Sequence, residues 1–272
     1  MHFYFHIPFC VTKCRYCAFY SQPGTERARL AHYLPLVSAE LALRGYGRGS
    51  VSVDTLYIGG GTPSLLGPDG FRTLFASVPH MADAVEITVE VNPGDVTKDL
   101  AEALRECGVT RVSVGAQSFD EDTLRFLGRR HTAEQTVEAV STLRHAGLSN
   151  IGLDLIAAIP GCSAEAFRSS IDTALTLEPQ HVSVYPLSIE VGTPFARDVE
   201  AGKLSPPPDD EALDAVAEAE SRLCHGGYGR YEISNYALPG FACRHNLAIW
   251  RGEDYVGIGP AAASREGLRR CT

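Results

Sequence analysis

Short apolar runs rich in β-branched and aromatic residues alternate along the chain with longer stretches whose apolar positions recur at helical spacing. That is the pattern of parallel strands joined by crossover helices. Six runs read as strands, at residues 3–7, 55–59, 85–91, 111–116, 152–157 and 181–187. Between them, Leu100, Leu104 and Cys107 fall on one helical face, and Gly108 stands where a left-handed cap belongs. Thr132 with Gln135 has the form of a capping box, opening a helix that carries Val137, Val140 and Leu143 and closes near Gly147. Phe167, Ile171 and Leu175 form the next stripe, ended by Pro179. Leu213, Val216, Ala217 and Cys224 form another after Asp209, so both Cys107 and Cys224 are expected in the core. Residues 202–210, with Pro206-Pro207-Pro208, read as a surface linker. Six βα units are too few for a closed eight-stranded barrel. The expected α/β fold is therefore an open, partial (β/α)6 barrel over residues 1–200, with a linker, a helix and a short C-terminal appendage over 201–272. Its ligands belong at the C-terminal ends of the strands.

Composition narrows the setting. At 272 residues the chain can bury a sizeable core without a disulfide framework. Eight cysteines at irregular spacing, behind no basic and apolar leader, point to a reducing, cytoplasmic environment. A formal net charge of -9 offers no footprint for a phosphate backbone, so nucleic acid is not an expected partner. No apolar run is long enough to span a bilayer, which leaves peripheral membrane contact open. Arginine outnumbers lysine 21 to 3, and the sequence does not say why.

The chemistry starts at Cys10, Cys14 and Cys17, directly after the first strand. Three thiolates in eight positions can hold three irons of a cubane 4Fe-4S cluster and leave the fourth iron open to a small molecule. A structural zinc site or three unligated thiols are the alternatives, although no second Cys/His pair completes a tetrahedral set. Gly59-Gly60-Gly61 follows the second strand, where a glycine run lets backbone groups approach a ligand closely. Glu90 ends the third strand, Gln117 follows the fourth, and Asp154 lies on the fifth.

The cysteine spacing resembles the radical S-adenosylmethionine (SAM) superfamily. The order of Tyr4-Phe-His-Ile-Pro-Phe-Cys10, Gly59-Gly-Gly-Thr-Pro63, Glu90-Val-Asn-Pro-Gly94, Gln117-Ser-Phe-Asp120 and Asp154-Leu-Ile is similar to one family within it. That family comprises the oxygen-independent coproporphyrinogen III oxidases and the related heme chaperones. The resemblance implies a SAM pocket of Tyr4, Gly60, Gly61, Thr62, Glu90, Gln117, Arg129 and Asp154, with Tyr16 near the adenine. It also implies that His245, in Cys243-Arg-His-Asn-Leu-Ala-Ile-Trp250, is an axial heme ligand. That block resembles the His-Asn-x-x-Tyr-Trp signature of the chaperones, and it is not a c-type attachment motif.

Several positions depart from the family. Phe19 stands where the oxidases carry a further cysteine, and the chain starts at its first strand, without their N-terminal extension; both favour the chaperone. Ile249 replaces a tyrosine, and Ala157-Ala158 replaces an aromatic residue and a glycine. The chain stops at Thr272, ahead of a small further domain of the relatives. The resemblance implies heme and SAM as ligands and respiratory hemoproteins as acceptors of the heme. The alternative is radical oxidative decarboxylation of coproporphyrinogen in porphyrin biosynthesis.

Overall fold

A computed structural model describes residues 1–24, 27–46, 51–78 and 84–272. The strands of its main sheet are β1 (His2–Ile7), β2 (Thr55–Gly60), β3 (Glu86–Val91), β4 (Arg111–Gln117), β5 (Ile151–Ala157), β6 (His181–Pro186), β7 (Gly229–Arg230), β8 (Asn235–Ala237), β9 (Tyr255–Ile258), β10 (Ser264–Glu266) and β11 (Arg269–Cys271). The helices are α1 (Arg27–Leu43), α2 (Gly67–Ser77), α3 (Lys98–Glu106), α4 (Glu121–Leu127), α5 (Ala133–His145), α6 (Ala164–Thr176), α7 (Pro194–Glu200), α8 (Asp209–His225) and α9 (Arg244–Trp250). The eleven strands run in the order β11-β10-β9-β1-β2-β3-β4-β5-β6-β8-β7. The six expected strands are all present, parallel and in sequence order. A seventh parallel strand, β9, pairs with the outer edge of β1. The segment after residue 200 thus adds strands to both edges of the barrel sheet.

The strands alternate, which positions the site. Phe3, Phe5 and Ile7 of β1, Ile87, Val89 and Val91 of β3, Val112 and Val114 of β4, and Val182 and Val184 of β6 are buried in the main apolar cluster with the helices. Their neighbours, including Glu86, Thr88 and Glu90, then Arg111 and Ser113, then His181 and Ser183, face the concave side. The interior of this partial barrel is therefore polar, unlike the layers of branched apolar side chains that fill a closed one.

The caps form as the sequence predicts. Thr132 and Gln135 make both bonds of the capping box, and Gly108 takes φ 80°. Cys107 packs against the main cluster. Two faces differ from expectation. Cys224 and Leu213 are exposed, because α8 buries Ala219 and Leu223 and packs Ala215 and Val216 against the core. Val137 is 40% exposed, and α5 buries Ala139, Val140 and Leu143 instead. Among the described residues no helix is long and apolar enough to cross a membrane.

Candidate functional site

A cavity of about 480 Å³ opens among the C-terminal ends of the strands. Its mouth is the loop after β1. That loop is closed at its base by a two-residue parallel ladder, Phe9–Cys10 with Gln22–Pro23. Arg15 fastens its crest: its guanidinium lies 5.1 Å from the Phe126 ring centroid and 4.8 Å from that of Phe195, and it pairs with Asp198 at 2.6 Å. The loop is thereby held against α4 and α7 by cation–π contacts and a charge-assisted bond.

Cys10, Cys14 and Cys17 all line this cavity and none is in a disulfide. Thr62 Oγ1 donates to Cys10 Sγ at 3.5 Å, and Arg129 Nη1 donates to Cys14 Sγ at 3.6 Å. Burial, and then the neighbouring Cys14 and Cys10, push the Cys17 thiol up. Three free thiols lining one cavity fit a cluster whose irons take one thiolate each.

The opposite wall comes from β2 to β6. Gly60 takes φ 113°, and a Cβ there would sit 2.7 Å from the His6 ring, so no larger residue suits this turn. Its amide donates to Glu90 Oε2 at 3.1 Å, and Tyr57 donates to Glu90 Oε1 at 2.9 Å. Burial, and next Asp154, push Glu90 up to about 7. Burial also raises Asp154, which accepts from Ser113 at 3.2 Å and is hydrogen-bonded to Ser183. Gln117 lines the cavity at φ 66°, after an irregularity in the β4–β5 register. Left-handed backbone at a non-glycine residue is strained and recurs at ligand sites. Arg129 is anchored by donating to the Gly115 carbonyl at 2.8 Å.

Gly60, Gly61, Thr62, Glu90, Gln117, Arg129 and Asp154 are therefore brought together with the cysteines and Tyr16 around one space. Tyr4 and His245 lie outside this lining. Tyr4 stacks obliquely on Tyr57 and its hydroxyl meets His6 Nδ1 at 3.1 Å. His245 sits at the N-terminal ends of the strands, 2% exposed. The first residue of β3, Glu86, accepts from the backbone amides of Arg244 and His245 at 2.9 and 3.0 Å and from the Cys243 thiol, which fastens the start of α9 across the barrel base.

His2 Nε2 faces the Glu253 carboxylate at 3.1 Å, and Thr55 Oγ1 bridges His2 Nδ1 and His245 Nδ1 at 2.8 Å each. The buried Nε2 of His245 has no partner among the described residues. Trp250, by contrast, is 59% exposed.

Sequence motifs did not single out Tyr57, Arg111, Ser113, Ser183, Tyr185 or Asn246 as lining residues. Strict alternation of polar residues within otherwise apolar strands marks all of them but Asn246, since parallel strands covered on both faces by apolar layers read as continuous apolar runs.

The radical SAM superfamily model matches residues 4–174. The chain belongs to the radical SAM superfamily. Within it, the chain is 40% identical over 272 residues to the heme chaperone HemW of Escherichia coli K12, covering 95% of this chain and 68% of that protein. It is 36% identical over 263 residues to the heme chaperone HemW of Lactococcus lactis, covering 96% and 68%. These relatives place it in their branch of the superfamily. A solved structure of the coproporphyrinogen III oxidase HemN of Escherichia coli, described as a radical SAM enzyme, superposes with a TM-score of 0.82 at 26% identity, over 97% of this chain and 64% of that one. The chain thus spans about two thirds of the length of these relatives.

Proposed function

We propose that this radical SAM protein is a heme chaperone. It binds a 4Fe-4S cluster, SAM and heme in the cytoplasm and delivers heme to hemoproteins, respiratory ones among them. The observation that carries the reading is the meeting of three free thiols with Glu90, Gln117, Arg129 and Asp154 around one cavity, in a chain 40% identical to a protein named a heme chaperone.

In this reading Cys10, Cys14 and Cys17 hold the cluster, and SAM takes the polar wall. When bound and reduced, such a cluster supplies an electron to SAM's sulfonium. The chain supplies orientation and water exclusion. Glu90 and Asp154 accept from ammonium or ribose hydroxyl groups, Gln117 offers both a donor and an acceptor, and Arg129 holds positive charge beside Cys14. Heme reaches His245 Nε2 only if α9 leaves the barrel base, because that nitrogen is buried. The structural likeness to HemN concerns the fold; Phe19, in the place of the oxidases' further cysteine, favours the chaperone.

The test is anaerobic cluster reconstitution followed by parallel assays. Stoichiometric heme binding without protoporphyrinogen formation from coproporphyrinogen is expected. The Soret band should shift in folded His245→Ala. Catalytic decarboxylation by the wild-type protein would overturn the chaperone reading. An unchanged Soret band in the folded variant would remove His245 as ligand.

A further inference from the structure

The strand that delivers Gln117 to the cavity ends in a strained turn. The Ser118 amide donates to the Ala116 carbonyl at 2.8 Å, closing a γ-turn whose central residue, Gln117, has φ 66°. This form of the turn, with positive φ at its centre, is rare and strained. It falls where β4 bulges, since the stretch from Val114 to Gln117 pairs with the shorter stretch from Leu153 to Leu155 on β5.

The turn aims the side chain. A Cβ placed on Gly115 would lie 3.0 Å from Gln117 Nε2 and 3.3 Å from Arg129 Nη2. The Gln117 amide is thus folded back over Gly115, beside the Arg129 guanidinium, in the part of the cavity assigned to SAM. A strained backbone persists only where its surroundings over-determine it.

Those surroundings come from the segment that precedes α5. Arg129 donates to the Gly115 carbonyl at 2.8 Å, and His131 Nε2 meets the Ala116 carbonyl at 3.0 Å. A carbonyl only accepts, so Nε2 carries the hydrogen. Consecutive carbonyls at the end of β4 are therefore gripped by side chains of one short segment, and the Ala116 oxygen accepts from both Ser118 and His131. Beyond the turn, the Phe119 amide donates to Ser170 Oγ on α6 at 3.0 Å, and Ser118 Oγ is 3.1 Å from the same atom.

His131 is 3% exposed and stands outside the cavity lining. Its Nδ1 has no partner among the described residues, so the bond that its ring makes there is the one to the turn. An apolar side chain would fill the same space without the cost of burying an imidazole. What this residue adds is the donor to Ala116.

We infer that His131 is a positioning residue for SAM, holding the γ-turn through the Ala116 carbonyl and so keeping the Gln117 amide aimed into the cavity. The inference rests on the assignment of Gln117 to the SAM pocket. Without the His131 bond the turn is closed in only a fraction of molecules, and SAM affinity falls by that fraction.

The experiment is calorimetric titration of the anaerobically reconstituted protein with SAM, alongside amide hydrogen exchange without SAM. His131→Gln places an amide donor near the position of Nε2, His131→Asn places it near Nδ1, and His131→Phe supplies none. SAM affinity is expected to fall about tenfold in His131→Phe and His131→Asn and to be largely retained in His131→Gln. Exchange at the Ser118 amide should quicken in the same two variants, relative to the Val112 amide lower in the strand. In a Gln117→Gly background, which accepts positive φ but has no side chain to aim, His131→Phe should weaken SAM no further. If His131→Phe does not fold, His131→Asn takes its place in every comparison. Wild-type affinity or unchanged Ser118 exchange in the folded variant, equal loss in His131→Gln, or additive effects with Gln117→Gly would each overturn the inference while leaving the SAM pocket standing. No SAM binding by the reconstituted wild type would remove the pocket and the inference with it.

Discussion

Ala158 follows β5 in the left-handed region, at φ 55°, where the family resemblance leads one to expect glycine. The Cβ clash of that conformation costs about 1 kcal/mol. Ala158→Gly is expected to stabilise the protein by roughly this amount, read as a higher urea midpoint at unchanged slope. Glu90 carries a larger pH-dependent strain. Its folded pKa of about 7 exceeds the ordinary 4.5, so between these values the folded state binds more protons than the unfolded one. Stability therefore falls as pH rises through this window. Glu90→Gln is expected to gain on the wild type across it, by about 3 kcal/mol at most near pH 8, while weakening SAM binding. Chemical denaturation at several pH values and calorimetry with SAM check both halves. An advantage for Glu90→Gln that shrinks as pH rises would contradict the burial argument.

Elements hold the site through a few fastenings. Arg15 ties the cysteine loop to α4 and α7, and Arg15→Ala should cost about 1–2 kcal/mol and slow cluster uptake while leaving the three thiols in place. Iron and sulfide content during timed reconstitution measures this. Glu86 ties α9 to the barrel base, so Glu86→Ala should cost about 2–4 kcal/mol and speed hydrogen exchange at the Arg244 and His245 amides. The expected strands agree with those found to within a residue or so at their ends, because alternation and turn residues mark them locally. The strand β9 was not among the six. Four residues containing Gly257 carry little strand signal, and only pairing with β1 makes them one. The face of α8 differs from the expected one because its alanines leave the apolar direction poorly defined, and Ala219 and Leu223 hold the buried positions that the sequence assigns to Leu213 and Cys224.

At the scale of the molecule, motif residues at five strand ends converge on one cavity, as the sequence order implied. The polar barrel floor was not read, since Arg111, Ser113 and His181 belong to no motif and gain meaning only when the sheet curls. The same polar interior shapes acid stability. Burial, and then His2, hold His245 down at about 3; burial, and then Arg129, hold His131 down at about 4, against an ordinary 6.5. The unfolded chain binds these protons first, so stability is present above about pH 6.5 and is lost as pH falls toward 4 and 3. His245→Gln should flatten that loss in acid denaturation.

The central claim is a cluster held by three thiols with an iron open to SAM, and electron paramagnetic resonance of the anaerobically reconstituted, reduced protein tests it most directly. The account predicts a 4Fe-4S signal that SAM perturbs in the wild type, that SAM perturbs only at higher concentration in Glu90→Gln, and that is absent when Cys10, Cys14 and Cys17 are all alanine. A signal that SAM leaves unchanged, or one that survives the triple substitution, would contradict it.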